Sequence, residues 1–321
     1  MKTLWTWLPT TVSGRVTFFA WASLISQTLI IGTGGAVRLT GSGLGCPTWP
    51  RCTEESFVST PEMGFHGLIE FGNRLLTFLL IIIAIGMFLM VVRQRATRPE
   101  LLRLAVILGL GIPAQAVIGG ITVLTNLNPY VVGLHYLLSA VLVGLAAWLL
   151  YRVRVGPASG IRQAPRGYRE LVVAALVTLG ISINIGILVT GSGPHAGDGG
   201  AARNNLDSEL LQHLHSWPSY LTAGLVLAGV VWTLAVGVPT VTTRARRAVI
   251  GAFVLTLSQI GVGLYQARNG LPELFVGIHM VLAAVLVAVF VTWLLATAAD
   301  PIKTSSDGSK EGDREHSPAI A

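Results

Sequence analysis

Four histidines of the 321-residue chain, His135, His213, His215 and His279, fall inside long apolar runs, and a further polar position, Asn73, falls in another. An ionisable side chain in such a run is costly and ordinarily faces a bundle interior with a partner. Two neutral imidazoles presented from facing helices at one depth can hold an iron porphyrin from both sides, and His215 with His279 forms such a pair. A hydrogen-bonded pair in a packed core is the competing reading. His213 lies about 200° around a helix from His215, cannot share its ligand direction, and is expected to be structural or interfacial. In the other half His135 is matched by Asn73, a poor iron ligand, so an iron there would keep an open coordination position. Saturated coordination suits electron transfer and open coordination suits reaction.

Further candidates surround Asn73. Glu70, one turn earlier on the same face, is the candidate catalytic carboxylate, able to accept protons or stabilise positive charge during an oxidation. A helix-start acid favoured by the macrodipole is its alternative. His66, another turn back, either substitutes for the missing ligand or sits at a loop edge. Arg38 and Arg74 flank the same region; they either receive porphyrin propionates by charge-assisted bonds or anchor the interface. The only cysteines, Cys46 and Cys52, share one short loop. They read as a loop staple on the disulfide-permissive outer side, with a redox pair that exchanges electrons or disulfides with a partner as the alternative.

The elements that must position these residues are membrane helices. Only 12% of residues are charged, against roughly 25% in a soluble domain, and mean hydropathy is +0.67. A soluble globular enzyme cannot be covered with so little charge, and disorder is excluded for most of the chain. A span needs about 20 apolar residues, and eight such runs lie near 16–37, 70–92, 101–125, 130–151, 169–190, 213–237, 246–266 and 273–297. The first is too long and too polar at its end for a cleaved signal peptide. Of the 22 Lys and Arg residues, 17 fall at the N-terminus, in alternate loops and in the tail. The positive-inside rule therefore places both termini in the cytoplasm of a multi-pass cell-membrane protein. The net charge of +7 belongs to those loops and not to nucleic-acid binding. The tail, 300–321, reads as disordered. No nucleotide loop, zinc spacing or catalytic triad occurs.

The halves repeat. Leu39-Thr40-Gly41-Ser42-Gly43 returns as Val189-Thr190-Gly191-Ser192-Gly193, Gln115 as Gln259, Val132-Gly133-Leu134-His135 as Val276-Gly277-Ile278-His279, and Ile69–Asn73 as Leu211–His215. Four helices per half, running the same way, imply a repeat axis along the membrane normal. The expected fold is all-α and membrane-integral, eight transmembrane helices in two pseudo-symmetric four-helix bundles, 1–155 and 156–299, with sites inside each. Asn73, His135, His215 and His279 then share one depth near the outer face.

Taken together, the motifs resemble the heme A synthase family, membrane enzymes that oxidise the C8 methyl of heme O to the formyl of heme A. The resemblance covers residues 15–297. It is carried by Val37–Pro47 with Trp49-Pro50, by Ile69-Glu70-Phe71-Gly72-Asn73-Arg74, and by the helices of His135, His215 and His279. It implies heme b as cofactor on His215 and His279, and the heme O substrate in the first half beside His135, with Glu70 matching the family's acid. Cys46 and Cys52 match its first-half cysteines. The chain departs from the family at Asn73, where a histidine is usual, at Ser216, where an arginine is usual, and at Pro194-His195, where some relatives carry cysteines. The implied reaction is successive hydroxylation of the methyl with water-derived oxygen, then dehydration to the aldehyde. Heme O synthase is the implied supplier and a terminal cytochrome oxidase the consumer; the sequence identifies no electron acceptor and leaves a homo-oligomer open. Two other classes compete. A b-type cytochrome that only passes electrons would want all axial positions filled, and a heme carrier would show broken helices at midplane.

Overall fold

The computed structural model describes residues 2–157, 164–235 and 241–298. The expected disordered tail, with His316 and its three cations, and the loop cation Arg162 lie outside the described residues.

A short helix α1 (Lys2–Trp7) precedes eight long ones: α2 (Gly14–Leu39), α3 (Gly64–Val91), α4 (Pro99–Leu124), α5 (Pro129–Val155), α6 (Arg166–Ser192), α7 (Ser208–Ala235), α8 (Thr243–Arg268) and α9 (Glu273–Leu295). All eight are long and apolar enough to cross a bilayer, and the chain is a multi-pass membrane protein. Their outward faces carry large apolar residues such as Phe18, Phe78, Leu110 and Trp217, which in water would be an untenable surface. Helix starts follow local chemistry. Pro99 and Pro129 occupy first-turn positions. The Asn128 side chain accepts from Tyr130 N at 3.0 Å, and the Thr242 side chain accepts from Ala245 N at 3.0 Å. Helices α3 and α7 begin six and five residues before the predicted spans. Asn73 and His215 therefore lie deeper in their helices than the run lengths suggest.

The helices pack as two rings. In one, α2 touches α3 and α5, and α4 touches the same two neighbours; in the other, α6 and α8 each touch α7 and α9. The rings join through α5 against α9, α2 against α9 and α5 against α6. Small residues allow the central approach: Ala140 and Gly144 on α5, Ala284 and Ala288 on α9, a spacing that lets membrane helices meet closely. A methyl group added at Gly144 would stand 3.2 Å from Val287. Ile31, Val143, Ala147, Ala284 and Ala288 form the buried cluster there. A hydrogen bond from Tyr136 Oη to Met280 O, 2.9 Å, ties α5 to α9 one residue past His135 and His279.

The repeat returns in backbone detail. The α4–α5 and α8–α9 turns both place a leucine in the left-handed region, Leu127 at φ 57° and Leu271 at φ 58°, where a branched side chain is uncommon. Each leucine amide reaches back five residues, Leu127 N to Thr122 O at 2.8 Å and Leu271 N to Gln266 O at 2.9 Å. The same turn thus launches both His135 and His279 into the bundle.

Candidate functional site

One cavity of about 380 Å³ holds the polar positions singled out by the sequence, a volume within the range of small-molecule sites. Its walls come from α2, α3, α5 and all four helices of the second ring, and Asn73, His135, His215 and His279 line it together. The sequence implied one site within each bundle, and residues of both rings line this cavity.

The second-half pair has the geometry of a clamp. The His215 and His279 rings stand 6.3 Å apart between centroids, at 66°. That is too far for direct contact between the nitrogens. A separation of this size leaves room for a group between the two rings. His215 Nδ1 lies 2.9 Å from Ser182 O. A carbonyl only accepts, so Nδ1 carries the proton and Nε2 keeps its lone pair, the tautomer a metal ligand requires. Ser219 Oγ donates to His215 O at 2.8 Å and meets Ser182 Oγ at 2.6 Å, bracing the same turn against α6. His279 is held differently: Gln259 Nε2 donates to its backbone carbonyl at 3.1 Å, while its Nδ1 is buried without a partner. His135 copies His279, with Gln115 Nε2 donating to His135 O at 3.1 Å and Nδ1 again unpartnered. A glycine faces each imidazole edge, Gly119, Gly186 and Gly263. A methyl group at Gly186 would come within 3.0 Å of His215 Cε1, so these glycines make room for the rings. The donor set, the gap and the fixed tautomer fit an iron porphyrin held by His215 and His279.

The first half is built otherwise. Asn73 lines the cavity and its Oδ1 accepts from Thr33 Oγ1 of α2 at 2.8 Å. His66 is exposed, bonds Ser42 Oγ through Nδ1 at 2.9 Å, and lies away from the cavity. It therefore does not stand in for the missing histidine. His213 is exposed on the outer face of α7, as its angle from His215 requires.

Glu70 and Arg74 face the disulfide loop and not the cavity. Cys46 and Cys52 are bonded to each other, both fully buried. Glu70, 5% exposed, accepts from Cys46 N at 2.6 Å and from Arg74 Nε at 3.1 Å. Arg74 donates onward to Cys46 O, Thr48 O and Arg51 O at 3.0, 3.1 and 3.1 Å. The pair thus latches the loop onto α3, with Trp49 packed against Gly120 of α4. Closing so small a ring removes about 2 kcal/mol of unfolded-chain freedom. A Cys46→Ser/Cys52→Ser protein is accordingly expected to melt several degrees lower in detergent while keeping its turnover. Lost turnover with an unchanged melting temperature would assign the pair to redox chemistry instead.

Arg38 lies near the end of α2 and lines the cavity. Its Nε donates to His195 O at 2.6 Å and its Nη2 to Thr190 O at 3.1 Å, so a first-half cation is held by second-half carbonyls. No carboxylate among the described residues pairs with it. Beside it Gly43 N donates to Gly197 O at 2.8 Å, closing the loops that follow α2 and α6 on each other. Sequence reasoning missed Ser182, Thr33 and Tyr136, which act through backbone or cross-helix contacts. The spacing of Ala140–Gly144 and Ala284–Ala288 was the visible signal for the helix contact beside Tyr136.

An eight-span helical membrane protein, with paired histidines lining a cavity shared by two four-helix rings, is the class that fold and site define. Residues 17–291 match the profile of COX15-CtaA, cytochrome oxidase assembly protein, and the chain belongs to that family. It is similar to the heme A synthase of Geobacillus thermodenitrificans, 30% identical over 151 residues, 46% of this chain and 47% of the relative. It is also similar to that of Geobacillus kaustophilus, 28% identical over 139 residues, 43% of each chain. The heme A synthase of Listeria welshimeri is 32% identical over 124 residues, 37% of this chain and 39% of the relative. The chain thus spans less than half the length of these relatives.

Proposed function

We propose that the protein is a heme A synthase, an oxidoreductase that converts the C8 methyl of heme O to a formyl group through successive hydroxylations, supplying heme A to a terminal oxidase. The observation that carries this reading is the inequality of the two ends of one cavity: a histidine pair in the second half, and a single histidine opposite an asparagine in the first. Heme b is the resident cofactor of this reading, held by His215 and His279, and when bound it supplies one-electron redox chemistry at a saturated iron. Ser182 orients His215, and Gln259 braces the helix that carries His279. The substrate takes the first-half end, with His135 as its protein ligand and Asn73 facing it.

Arg38 is the cation for a substrate carboxylate, because it lines the cavity with no acidic partner among the described residues. Glu70 and Arg74 serve the same end from beneath the disulfide loop, holding it across the outer side of the first ring, and Glu70 is the carboxylate on which turnover depends. The two rings are related by an axis along the membrane normal. Both termini lie in the cytoplasm of the cell membrane, which puts the cavity mouth and the disulfide on the outer side. Heme O synthase is the supplier in this reading, and the lipid-like tail of heme O enters from the bilayer.

The test is chemical. The protein is expressed together with a heme O synthase, and the extracted hemes are separated. Heme A formed only when both are present is the expected result. A protein that accumulates heme b and leaves heme O untouched would instead be an electron-passing b-type cytochrome.

A further inference from the structure

The repeat places Asn73 where His215 stands in the second half, 142 residues on. A substitution that merely removed a ligand would leave a small or apolar residue, or an amide free to turn. Here the amide is fixed. Thr33 Oγ1, one helix away, bonds Asn73 Oδ1 at 2.8 Å, while its contacts to the α2 carbonyls of Leu29 and Ile30 are longer, 3.3 and 3.2 Å. The bond occupies the acceptor end of the amide. It leaves the two Nδ2 hydrogens with no acceptor among the described residues, on a side chain that lines the cavity together with His135. His66, the other polar ring near this end, is turned away and bonded to Ser42. Beside His135, therefore, the opposite wall offers a donor and no ligand.

We propose that Asn73, oriented by Thr33, is the hydrogen-bond donor of the first-half site, and that it receives an oxygen atom on the open side of the substrate: water, hydroxide or the oxygen of a hydroxylated methyl. Thr33 is a positioning residue, acting through Asn73. The inference rests on the heme reading of the cavity and adds to it. The chain discriminates its two ends by exchanging a ligand for a donor, so one end stays saturated and the other accepts an oxygen-bearing group. A neutral amide suits the task, because it offers hydrogen bonds without binding iron and without titrating.

The experiment uses the full chain in detergent, loaded with iron protoporphyrin IX, with carbon monoxide and cyanide as probes. An iron saturated by His215 and His279 takes up neither probe, so the probe signal reports the first-half end, and His135→Ala removes it. In the parent protein the Asn73 donor lowers the C–O stretching frequency. Asn73→Leu shifts that band upward and weakens cyanide binding about tenfold, the effect of one lost hydrogen bond. Thr33→Val moves the band in the same direction, Thr33→Ser leaves it in place, and Asn73→His gives a six-coordinate low-spin heme that no longer takes up carbon monoxide. A His135-dependent band that neither Asn73→Leu nor Thr33→Val moves would overturn the proposal while leaving the heme site standing. Failure of any His135-dependent heme to form would overturn the site reading and the proposal with it. Should Asn73→Leu not fold, Thr33→Val and Asn73→His carry the test, and an Asn73→His protein still high-spin and open to carbon monoxide overturns the proposal.

Discussion

Alanine at His279 is expected to convert the second-half heme from low-spin, six-coordinate iron to high-spin, five-coordinate iron while leaving a measurable fraction bound. Alanine at His215 is expected to lose it almost entirely. The two histidines differ in what holds them. His215 has Nδ1 bonded to Ser182 O, so its ring stays oriented and in the right tautomer when its partner is gone. His279 has no such bond, and its Nδ1 is buried without a partner. A hydrogen bond that orients a ligand ring in this way is worth about ten- to a hundredfold in metal affinity, so heme retention should differ by that ratio between the two variants. Heme content per protein and the optical and EPR spectra of the purified chain measure it. An unchanged low-spin spectrum in the His279→Ala protein would remove His279 from the ligand set; equal retention in the two variants would remove Ser182 from the argument.

Glu70→Ala is expected to abolish heme A formation and to loosen the outer loop. The carboxylate holds the buried Cys46 amide and the Arg74 guanidinium at once, and Arg74 in turn carries three loop carbonyls. Removing one partner of a largely buried ion pair costs about 3 kcal/mol, because the other charge is left uncompensated. The variant should therefore melt well below the parent and be cut by protease within residues 46–56, a segment whose chain is otherwise tied back through Cys52 N to Ser56 O at 2.8 Å. Glu70→Gln keeps an acceptor for Cys46 N and should recover most of the protease resistance. Product formation by Glu70→Gln at the parent's rate would confine Glu70 to the latch. Loss of product with the loop intact would show that the carboxylate's charge is needed for turnover.

The amino-acid sequence by itself determined that this is a membrane protein, how many times it crosses, and where its polar positions fall. Those properties depend on local quantities: apolar run length against bilayer thickness, loop charge, and residue identity at fixed offsets. Eight runs predicted eight helices, and the return of Gln115 as Gln259 and of His135 as His279 carries the same contact twice, because a repeated sequence on a repeated backbone makes the same bonds. That His213 points away from the direction of His215 followed from helical angle alone. Cys46 and Cys52 were close enough along the chain for the loop to close either way, and the fold closes it.

Tertiary structure decided what faces what. Glu70 and Asn73 lie one turn apart, which in sequence puts them on one face, yet a 60° difference in direction sends Glu70 into the disulfide loop and Asn73 into the cavity. Arg38 reads as a first-half cation and is captured by second-half carbonyls. Residues of both rings line one cavity, and small residues let α5 and α9 meet closely beside it. The tautomer of His215 and the orientation of Asn73 rest on Ser182 and Thr33, each on a neighbouring helix. Such pairings depend on helix rotation and crossing, which side-chain packing fixes only after the helices have met.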